Sequence, residues 1–342
     1  MTTRKESAGG AGSPPESRYR LDVHHGGAAY EDALAADALT GLTGPVKSLP
    51  PKYFYDADGS ALFDRITTLP EYYLTRTEER IVKAMASRWM AEIRPAELVE
   101  LGAGTCAKIR WLMDARNGAS APQRLLFLPF DVDARTMDGA VRGLLRDYAF
   151  LAVHGIIGDF QRDLSRVPAP GARRLAVFFG STLGNLHPNE RARVLQDLRG
   201  ILRSGDCFLL GVDLVKDTGT LEAAYNDSAG VTAAFNRNIL AVLNRHLGSD
   251  FDQAAYAHEA FYDRERSRIE MHLRPMTPQE VHIPRLGGLT VTVTPDETIW
   301  TESSYKFTRE GVGEMLSAAG LPLVDWQTDT DGMFAMALAR RD

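Results

Sequence analysis

The sequence predicts an α/β fold: a largely parallel sheet that ends in an antiparallel hairpin, with an α+β unit inserted before the hairpin. Three observations predict it. Residues 98–111 have the pattern of a buried strand, a turn at Gly102 and Gly104, and a helix. Apolar strands and amphipathic helices then alternate as far as Asp213. Residues 321–327 and 333–339 are two short strands around a Thr-Asp-Thr-Asp-Gly loop, and such a tight reversal makes them antiparallel.

Length and composition narrow the class of protein. The chain has 342 residues, 44% of them hydrophobic, which is enough for one large domain or two moderate ones. A formal net charge of −6 gives no electrostatic reason to bind a nucleic acid. The two cysteines, Cys106 and Cys207, are too few for a disulfide framework and lie in no metal-type cluster. No apolar run is long enough to span a membrane and no signal peptide is evident, so we expect a cytoplasmic protein without a metal.

The first part of the chain precedes the glycine turn. Residues 1–18 are rich in Gly, Ser, Pro and charge, which predicts a disordered tail. Residues 30–42 and 78–93 have helical patterns. Between them is a proline-punctuated segment with an unusual density of aromatic residues: Tyr53, Phe54, Tyr55, Phe63, Tyr72 and Tyr73. Such a segment either fixes a cap onto the core or lines a pocket with phenol hydroxyls.

Polar residues follow the predicted strands at the edge where an α/β fold binds ligands. The apolar run 124–133 ends in Asp131 and Asp133, where a carboxylate can bind ribose hydroxyls. After the strand 149–154, Asp159 and Phe160 could offer a carboxylate and a ring to adenine. The segment 173–186 is a fourth strand ending in a Gly/Ser/Thr/Asn turn, and the helix 190–202 and strand 207–213 complete the alternation.

The next 90 residues break this alternation and predict a second unit. Residues 215–247 have a helical pattern, and 260–274 and 289–307 alternate as strands before a helix at 308–319. We therefore expect a substrate-binding domain made of residues 19–76 and 215–306. The cofactor-binding domain would comprise residues 77–214 and 307–342.

The glycines alone do not identify the cofactor. Ala107 stands at the third glycine position of a dinucleotide fingerprint, which tolerates alanine there. The gap from Gly102 to Asp131 is 29 residues, longer than the spacing of about 20 in that fingerprint. The terminal hairpin is more informative, because a dehydrogenase sheet would end in parallel strands joined by helices. It favours S-adenosylmethionine (SAM) and a Rossmann-like class I methyltransferase sheet.

A closer resemblance rests on motifs that stand in one order from Lys47 to the C-terminus. They are KSLPPKYFYD, LPEYYLTRTE, VELGAGT, PFDVD, GDF, FFGSTLGNL, LVKDTGTLEAAYNDSAGVTAAFNRN, RIEMHLR and TESSYKF. Together they resemble the L-histidine Nα-methyltransferases of ergothioneine biosynthesis. The resemblance implies a SAM-dependent enzyme that transfers three methyl groups to the α-amine of L-histidine and gives hercynine.

The resemblance also implies the roles of individual residues. The implied cofactor contacts are Tyr55, Phe63, Gly102, Lys108, Asp131, Asp159 and Phe160. The implied substrate contacts are Tyr72, Gly180, Thr182, Asn185, Tyr225, Met271, Glu302, Ser303 and Ser304, with Glu302 and Ser304 on the imidazole. Tyr55 and Tyr72 are the candidate catalytic residues, because either could relay the proton that the amine loses. No general base is identified, and water could accept that proton.

The chemistry of these side chains agrees with the implied roles. Asn185 and Tyr225 carry neutral donors suited to a carboxylate. Glu302 and Ser304 are two apart in a predicted strand, so they share one face and could satisfy both nitrogens of a neutral imidazole. We expect a monomer whose partner is a small molecule. The alternatives are the same fold acting on another amino acid such as tryptophan, a nicotinamide-dependent oxidoreductase, and a binding module without activity.

Overall fold

A computed structural model describes residues 18–24, 28–116 and 124–342, and for residues 28 and 29 only the backbone. The predicted disordered tail falls almost entirely outside this part of the chain. The helices of the described residues are α1 (Ala28–Thr43), α2 (Ala57–Ile66), α3 (Leu74–Ile93), α4 (Arg110–Asp114), α5 (Ala134–Asp147), α6 (Pro188–Gly200), α7 (Thr218–Tyr225), α8 (Val231–Leu247) and α9 (Arg309–Ala318).

The strands belong to one large sheet and two small ones. They are β1 (Tyr19–Val23), β2 (Glu97–Leu101), β3 (Leu125–Asp131), β4 (Leu151–Ile157), β5 (Arg174–Phe178), β6 (Cys207–Asp213), β7 (Tyr256–Asp263), β8 (Arg268–Pro275), β9 (Gln279–Ile283), β10 (Leu289–Val293), β11 (Ile299–Tyr305), β12 (Leu323–Thr328) and β13 (Phe334–Arg340). In the described chain the large sheet has the order β1-β4-β3-β2-β5-β6-β13-β12. Strands β1 to β6 pair in parallel, whereas β13 is antiparallel to both β6 and β12. This topology confirms the predicted class I methyltransferase sheet.

The large sheet is buried on both faces. Along β2, Leu98 packs into a cluster on one face with Ile81 of α3, while Val99 packs into a cluster on the other face with Val194 of α6. Alternate side chains of a strand point to opposite faces, so a strand buried on both sides is apolar at nearly every position. Glu97 and Glu100 are the exceptions in this strand, since they are only 5% and 2% exposed and yet carry carboxyl groups.

The second unit sits over the carboxyl edge of the large sheet. Strands β11, β8 and β7 form an antiparallel sheet in that order, and β9 and β10 form a separate hairpin. The chain returns to the large sheet where the Phe307 N–H donates to the Asp213 carbonyl over 2.9 Å. That bond fixes the end of β11 beside the end of β6, and it brings the TESSYKF motif to the edge where the glycine turn lies.

Several elements differ from the sequence predictions. The predicted helix 215–247 is two helices, because the chain turns between α7 and α8 at Asp227 and Gly230, where φ is +69° at the glycine. The strand predicted at 289–307 is likewise divided into β10 and β11. Tyr19–Val23, which the sequence analysis placed in the substrate-binding domain, forms the edge strand β1 of the large sheet and pairs with β4.

Candidate active site

The glycine turn follows β2 directly. Gly102 and Gly104 have φ of +65° and +49°, in the left-handed region that favours glycine. A Cβ at Gly104 would meet no described atom within 4 Å, so backbone conformation rather than crowding by the protein explains this glycine. The Gly104 N–H donates to Oδ2 of Asp131 over 2.8 Å. The acid at the end of β3 therefore holds the turn in place as well as facing the cavity.

The segment directly after the turn is not the helix that the sequence pattern predicts there. It continues as turns, and α4 begins only at Arg110 and spans five residues. A helix this short and this distant offers little dipole to a ligand at the turn. Backbone N–H groups and carboxylates, rather than a helix N-terminus, therefore dominate this end of the site.

One cavity of about 350 Å³ joins the glycine turn to the second unit. Its walls include nearly all the predicted site residues: Tyr55, Phe63, Tyr72, Gly102, Lys108, Asp131, Asp159, Phe160, Gly180, Thr182, Asn185, Tyr225, Met271 and Glu302. Its size falls within the range of about 300–1,000 Å³ that is usual for small-molecule sites. The structure thus brings the implied cofactor contacts and the implied substrate contacts into a single space.

The cofactor end of the cavity is acidic. Asp131 is held by the Gly104 and Asp133 N–H groups, and its burial raises the pKa of the carboxyl. Asp159 accepts from the Gln161 N–H over 2.9 Å and lies 3.1 Å from the Lys52 ammonium. Each carboxylate oxygen keeps a second lone pair for a ligand hydroxyl. Carboxylates at the ends of two neighbouring parallel strands fit ribose and adenosine.

Glu100 was missed as a site residue by the sequence analysis. Its Oε2 atom is buried and has no hydrogen-bond partner among the described residues, although the residue lines the cavity. Burial raises the pKa of this carboxyl well above its ordinary value. A buried orphan acceptor of this kind fits a cationic ligand such as the α-ammonium of SAM. Glu100 is one of two glutamates in a strand whose other residues are apolar, and that pattern was the signal available in the sequence.

Lys108 follows the glycine turn in the sequence, and its side chain lines the cavity. Its ammonium lies 2.7 Å from Oε2 of Glu78, which is fully buried and also accepts the Gly180 N–H over 2.7 Å. Gly180 has φ of +75°, and a Cβ there would come within 3.0 Å of the lysine nitrogen. The ion pair therefore connects α3, the glycine turn and the loop after β5.

Aromatic rings form the cover of the cavity. The rings of Tyr55, Phe63 and Phe235 contact one another with centroid distances of 5.6 to 5.9 Å. Burial raises the pKa of the Tyr55 and Tyr72 phenols well above their ordinary value. Both phenols therefore stay protonated near neutral pH, and neither can act as a phenolate base. A role in relaying a proton remains a prediction for them.

The substrate end of the cavity is built on β11 and β8. A β-bulge after Trp300 shifts the register, so that Glu302 pairs with Met271 and Ser304 pairs with Ile269. Directly opposed residues share a face of a sheet. Glu302 and Met271 therefore both face the cavity, and Ser304 lies on the same face as the alternation predicts. Without the bulge, Glu302 would point to the opposite face.

Glu302 is the acid at this end of the cavity. It is 8% exposed, and none of the hydrogen bonds within the described chain involves its carboxylate. Desolvation raises the pKa of this carboxyl to about 7, and the Lys306 ammonium opposes that shift. A ligand that donates an N–H to Glu302 would favour the ionised form.

Two of the predicted substrate contacts do not reach the cavity wall. Ser303 pairs with Glu270 on the opposite face of the small sheet, because its neighbours Glu302 and Ser304 occupy the cavity face. We therefore withdraw Ser303 from the site. The Ser304 hydroxyl is hydrogen-bonded to the Tyr225 hydroxyl over 2.7 Å and accepts a hydrogen bond from the Lys306 ammonium over 2.8 Å. Ser304 does not line the cavity.

No group of three or more His, Cys, Asp or Glu side chains that could hold a metal occurs among the described residues. Within the same residues, no helix is both long enough and apolar enough to cross a membrane. Cys106 and Cys207 are both buried thiols.

Comparison with known proteins identifies the family. Residues 34–341 match the family described as "Histidine-specific methyltransferase, SAM-dependent". The chain is 48% identical over 310 residues to "Histidine N-alpha-methyltransferase" of Mycolicibacterium smegmatis, covering 91% of this chain and 95% of that protein. It is 47% identical over 326 residues to the protein of the same name from Mycobacterium tuberculosis, covering 95% and 100%.

A more distant relative carries another substrate in its name. The "4-dimethylallyltryptophan N-methyltransferase" of Claviceps purpurea is 25% identical over 297 residues, covering 81% of this chain and 86% of that protein. The long match to the family and the two mycobacterial identities confirm the resemblance seen in the sequence: this chain belongs to the SAM-dependent histidine-specific methyltransferases.

Proposed function

We propose that this protein transfers methyl groups from SAM to the α-amine of L-histidine three times in succession, giving hercynine for ergothioneine biosynthesis. The observation that supports this proposal most strongly is that a single cavity contains both a cofactor end and a substrate end. The glycine turn with Asp131 forms the first end. The carboxylate of Glu302, which has no hydrogen-bond partner among the described residues, forms the second. The family membership and the relatives named histidine N-alpha-methyltransferase support the same reaction.

At the cofactor end, the chain supplies acceptors for a cation that also carries hydroxyls. Asp131 would accept the ribose hydroxyls, and Asp159 with Phe160 would hold the adenine. Glu100 would accept the ammonium of the methionine part, with Lys108 near its carboxylate. When bound, SAM supplies an electrophilic methyl group on a sulfonium.

At the substrate end, the chain fixes an amino acid by both of its ends. Asn185 lines the cavity and makes no side-chain hydrogen bond within the described chain, so its amide N–H is available to the α-carboxylate. Tyr225 would donate to the same carboxylate. Glu302 would accept an imidazole N–H, with Met271 packed against the ring.

Methyl transfer by displacement depends mainly on holding an unprotonated amine in line with the sulfonium carbon. The rings of Tyr55, Phe63 and Phe235 line this cavity and would shield the reacting groups from bulk solvent. Because the Tyr55 and Tyr72 phenols stay protonated, they would hold the amine as hydrogen-bond partners. The proton that the ammonium loses would pass to water.

Mass spectrometry of L-histidine incubated with the enzyme and SAM tests the proposal. We expect species that carry one, two and three added methyl groups, with the trimethylated species accumulating. Parallel incubations with L-tryptophan and L-phenylalanine test the choice of amino acid. A protein that binds SAM but methylates tryptophan and leaves histidine unchanged would contradict the proposal.

A further inference from the structure

Lys306 lies just behind the substrate end of the cavity and is buried. Its ammonium contacts three oxygens: the Tyr225 hydroxyl at 2.9 Å, the Ser304 hydroxyl at 2.8 Å and Oδ2 of Asp213 at 2.9 Å. An ammonium has three protons and no lone pair, so it donates in all three contacts and has no proton left. Lys306 therefore occupies one lone pair on each of the two hydroxyl oxygens.

The two hydroxyls also bond to each other, with their oxygens 2.7 Å apart. Between them they carry two protons, one of which is used in this mutual bond. The hydroxyl that accepts the mutual bond also accepts from Lys306, so both of its lone pairs are occupied and its own proton is free. The pair thus presents one free proton, either on Tyr225 or on Ser304.

The walls of the cavity decide which hydroxyl keeps its proton. Tyr225 lines the cavity, whereas Ser304 is 2% exposed and does not. If Tyr225 donated to Ser304, the serine proton would be buried with no acceptor among the described residues. An unmade buried hydrogen bond of that kind is costly. Ser304 therefore donates to Tyr225, and the phenol proton points into the cavity.

We propose that Lys306 is a positioning residue that makes Tyr225 a pure hydrogen-bond donor toward the substrate and thereby selects an amino acid whose α-carboxylate is free. The inference rests on the proposed function and adds a residue that does not touch the substrate. Both lone pairs of the Tyr225 oxygen are filled from behind, and a buried cation stands 2.9 Å away. Burial also raises the pKa of Tyr225 well above its ordinary value, which keeps the phenol proton in place.

The position of Lys306 is itself fixed by buried groups. Asp213 is fully buried and accepts the Tyr73 hydroxyl at 2.8 Å and the Lys216 ammonium at 2.5 Å, in addition to Lys306. Lys216 therefore shares the aspartate with Lys306, but none of its hydrogen bonds is to Tyr225 or Ser304. That difference makes Lys216 a matched control for the charge of Lys306.

A double-mutant cycle between Lys306→Met and Tyr225→Phe tests the inference. We expect Lys306→Met alone to lower kcat/KM for L-histidine by about tenfold, mainly through KM, as for loss of one charge-assisted hydrogen bond. In the Tyr225→Phe background the same change should lower kcat/KM by less than about twofold, because the group through which Lys306 acts is absent. Lys216→Met should lower kcat/KM by the same factor whether or not Tyr225→Phe is also present.

The second readout is selectivity for the carboxylate. The ratio of kcat/KM for L-histidine over L-histidinamide should fall in Lys306→Met by about tenfold, because a phenol with a free lone pair can also accept from an amide. Ser304→Ala removes the other donor to Tyr225 while keeping the buried Lys306–Asp213 ion pair, so it should lower this ratio in the same direction if Lys306→Met fails to fold. An unchanged ratio in Ser304→Ala, or equal effects of Lys306→Met with and without the Tyr225 hydroxyl, would overturn the inference. A wild-type protein that does not methylate histidine would instead overturn the proposed function.

Discussion

The ammonium of Lys108 lies 2.7 Å from a carboxylate oxygen of Glu78, a residue that is fully buried beneath the glycine turn. The other oxygen of Glu78 accepts the Gly180 N–H. One buried carboxylate thus ties the loop after β5 to the turn after β2. Among the described residues, Lys108 is the one cation paired with Glu78. Removing one partner of a buried ion pair is strongly destabilising, at about 3–5 kcal/mol.

Lys108→Met is therefore expected to lower the free energy of unfolding by about 3–5 kcal/mol, because the buried Glu78 carboxyl loses the cation that offsets its desolvation. Adding Glu78→Gln should recover most of that loss, since the glutamine can still accept from Gly180. Urea unfolding of both proteins measures the difference. Equal stabilities for Lys108→Met and wild type would show that the pair is not a structural tie.

Asp131→Ala is expected to weaken SAM binding by at least tenfold. The carboxylate would accept two ribose hydroxyls, and hydrogen bonds to charged groups are worth about 1.5–3 kcal/mol each. Calorimetry with SAM measures the change. Asp131 also accepts the Gly104 N–H, so Asp131→Ala could disturb the turn as well as the ligand contact. Asp131→Asn is the control variant, because it keeps an acceptor for the turn but loses the charge. Unchanged affinity in both variants would show that Asp131 does not bind the ribose.

Glu302 is predicted to weaken the stability of the folded protein at high pH. Its folded pKa of about 7 lies above the ordinary value of 4.5, so the folded state binds the proton more tightly than the unfolded state does. Stability is thus lost as pH rises between those two values. Glu302→Gln resembles the protonated acid, so it should come within about 1 kcal/mol of wild type at pH 5 and exceed it at pH 8 by up to about 3 kcal/mol.

Urea unfolding of both proteins at pH 5 and pH 8, without ligand, tests this difference, since all other groups titrate alike in the two proteins. A Glu302→Gln protein that gains no stability at pH 8 would show that the burial of Glu302 does not raise its pKa. If Glu302→Gln is more stable than wild type at pH 8 and no longer methylates histidine, then the Glu302 carboxylate lowers stability but is needed to recognise the substrate.

Most of the large sheet was predictable from the sequence because its signals are local. The strand 207–213 was predicted with the bounds that the structure shows, and the terminal hairpin follows from a short loop between two apolar runs. Glu302 was placed on one face with Ser304 by alternation alone. The edge strand β1 was not predicted, because its pairing with β4 joins segments about 130 residues apart.

Within the site, the parts that sequence reasoning missed are contacts between distant segments. The ammonium of Lys306 meets Tyr225 and Asp213 from two other elements. The bulge beside Glu302 depends on pairing with β8, and the TESS motif contains no residue pattern that predicts it. Ser303 was implied only as a member of that motif, and the pleat of the strand directs it to the other face.

Product release gives another prediction. The trimethylated amine has neither a proton nor a lone pair, so it cannot exchange a hydrogen bond with the Tyr55 or Tyr72 phenols, whereas the dimethylated amine can. Hercynine should therefore bind more weakly than Nα,Nα-dimethylhistidine. Titrations of both compounds in the presence of S-adenosylhomocysteine measure the order of affinity. Tighter binding of hercynine would contradict this account of release.

We expect Glu302 to recognise the imidazole ring of histidine. Its carboxylate has no partner in the described chain and shares the cavity face with Met271. A site built to bond a substrate N–H can reject substrates that lack it by about 10⁴-fold. Glu302→Ala should cost histidine about 1.5–3 kcal/mol while opening room for a larger ring.

The most direct measurement is the ratio of kcat/KM for L-histidine to that for L-tryptophan, determined for wild type and for Glu302→Ala. We predict that the ratio falls by at least tenfold in the variant, with tryptophan methylation unchanged or increased. Glu302→Gln is the companion, since it keeps an acceptor at nearly the same volume and should retain more of the preference than alanine. A ratio that stays the same in Glu302→Ala would contradict the claim that Glu302 recognises the imidazole.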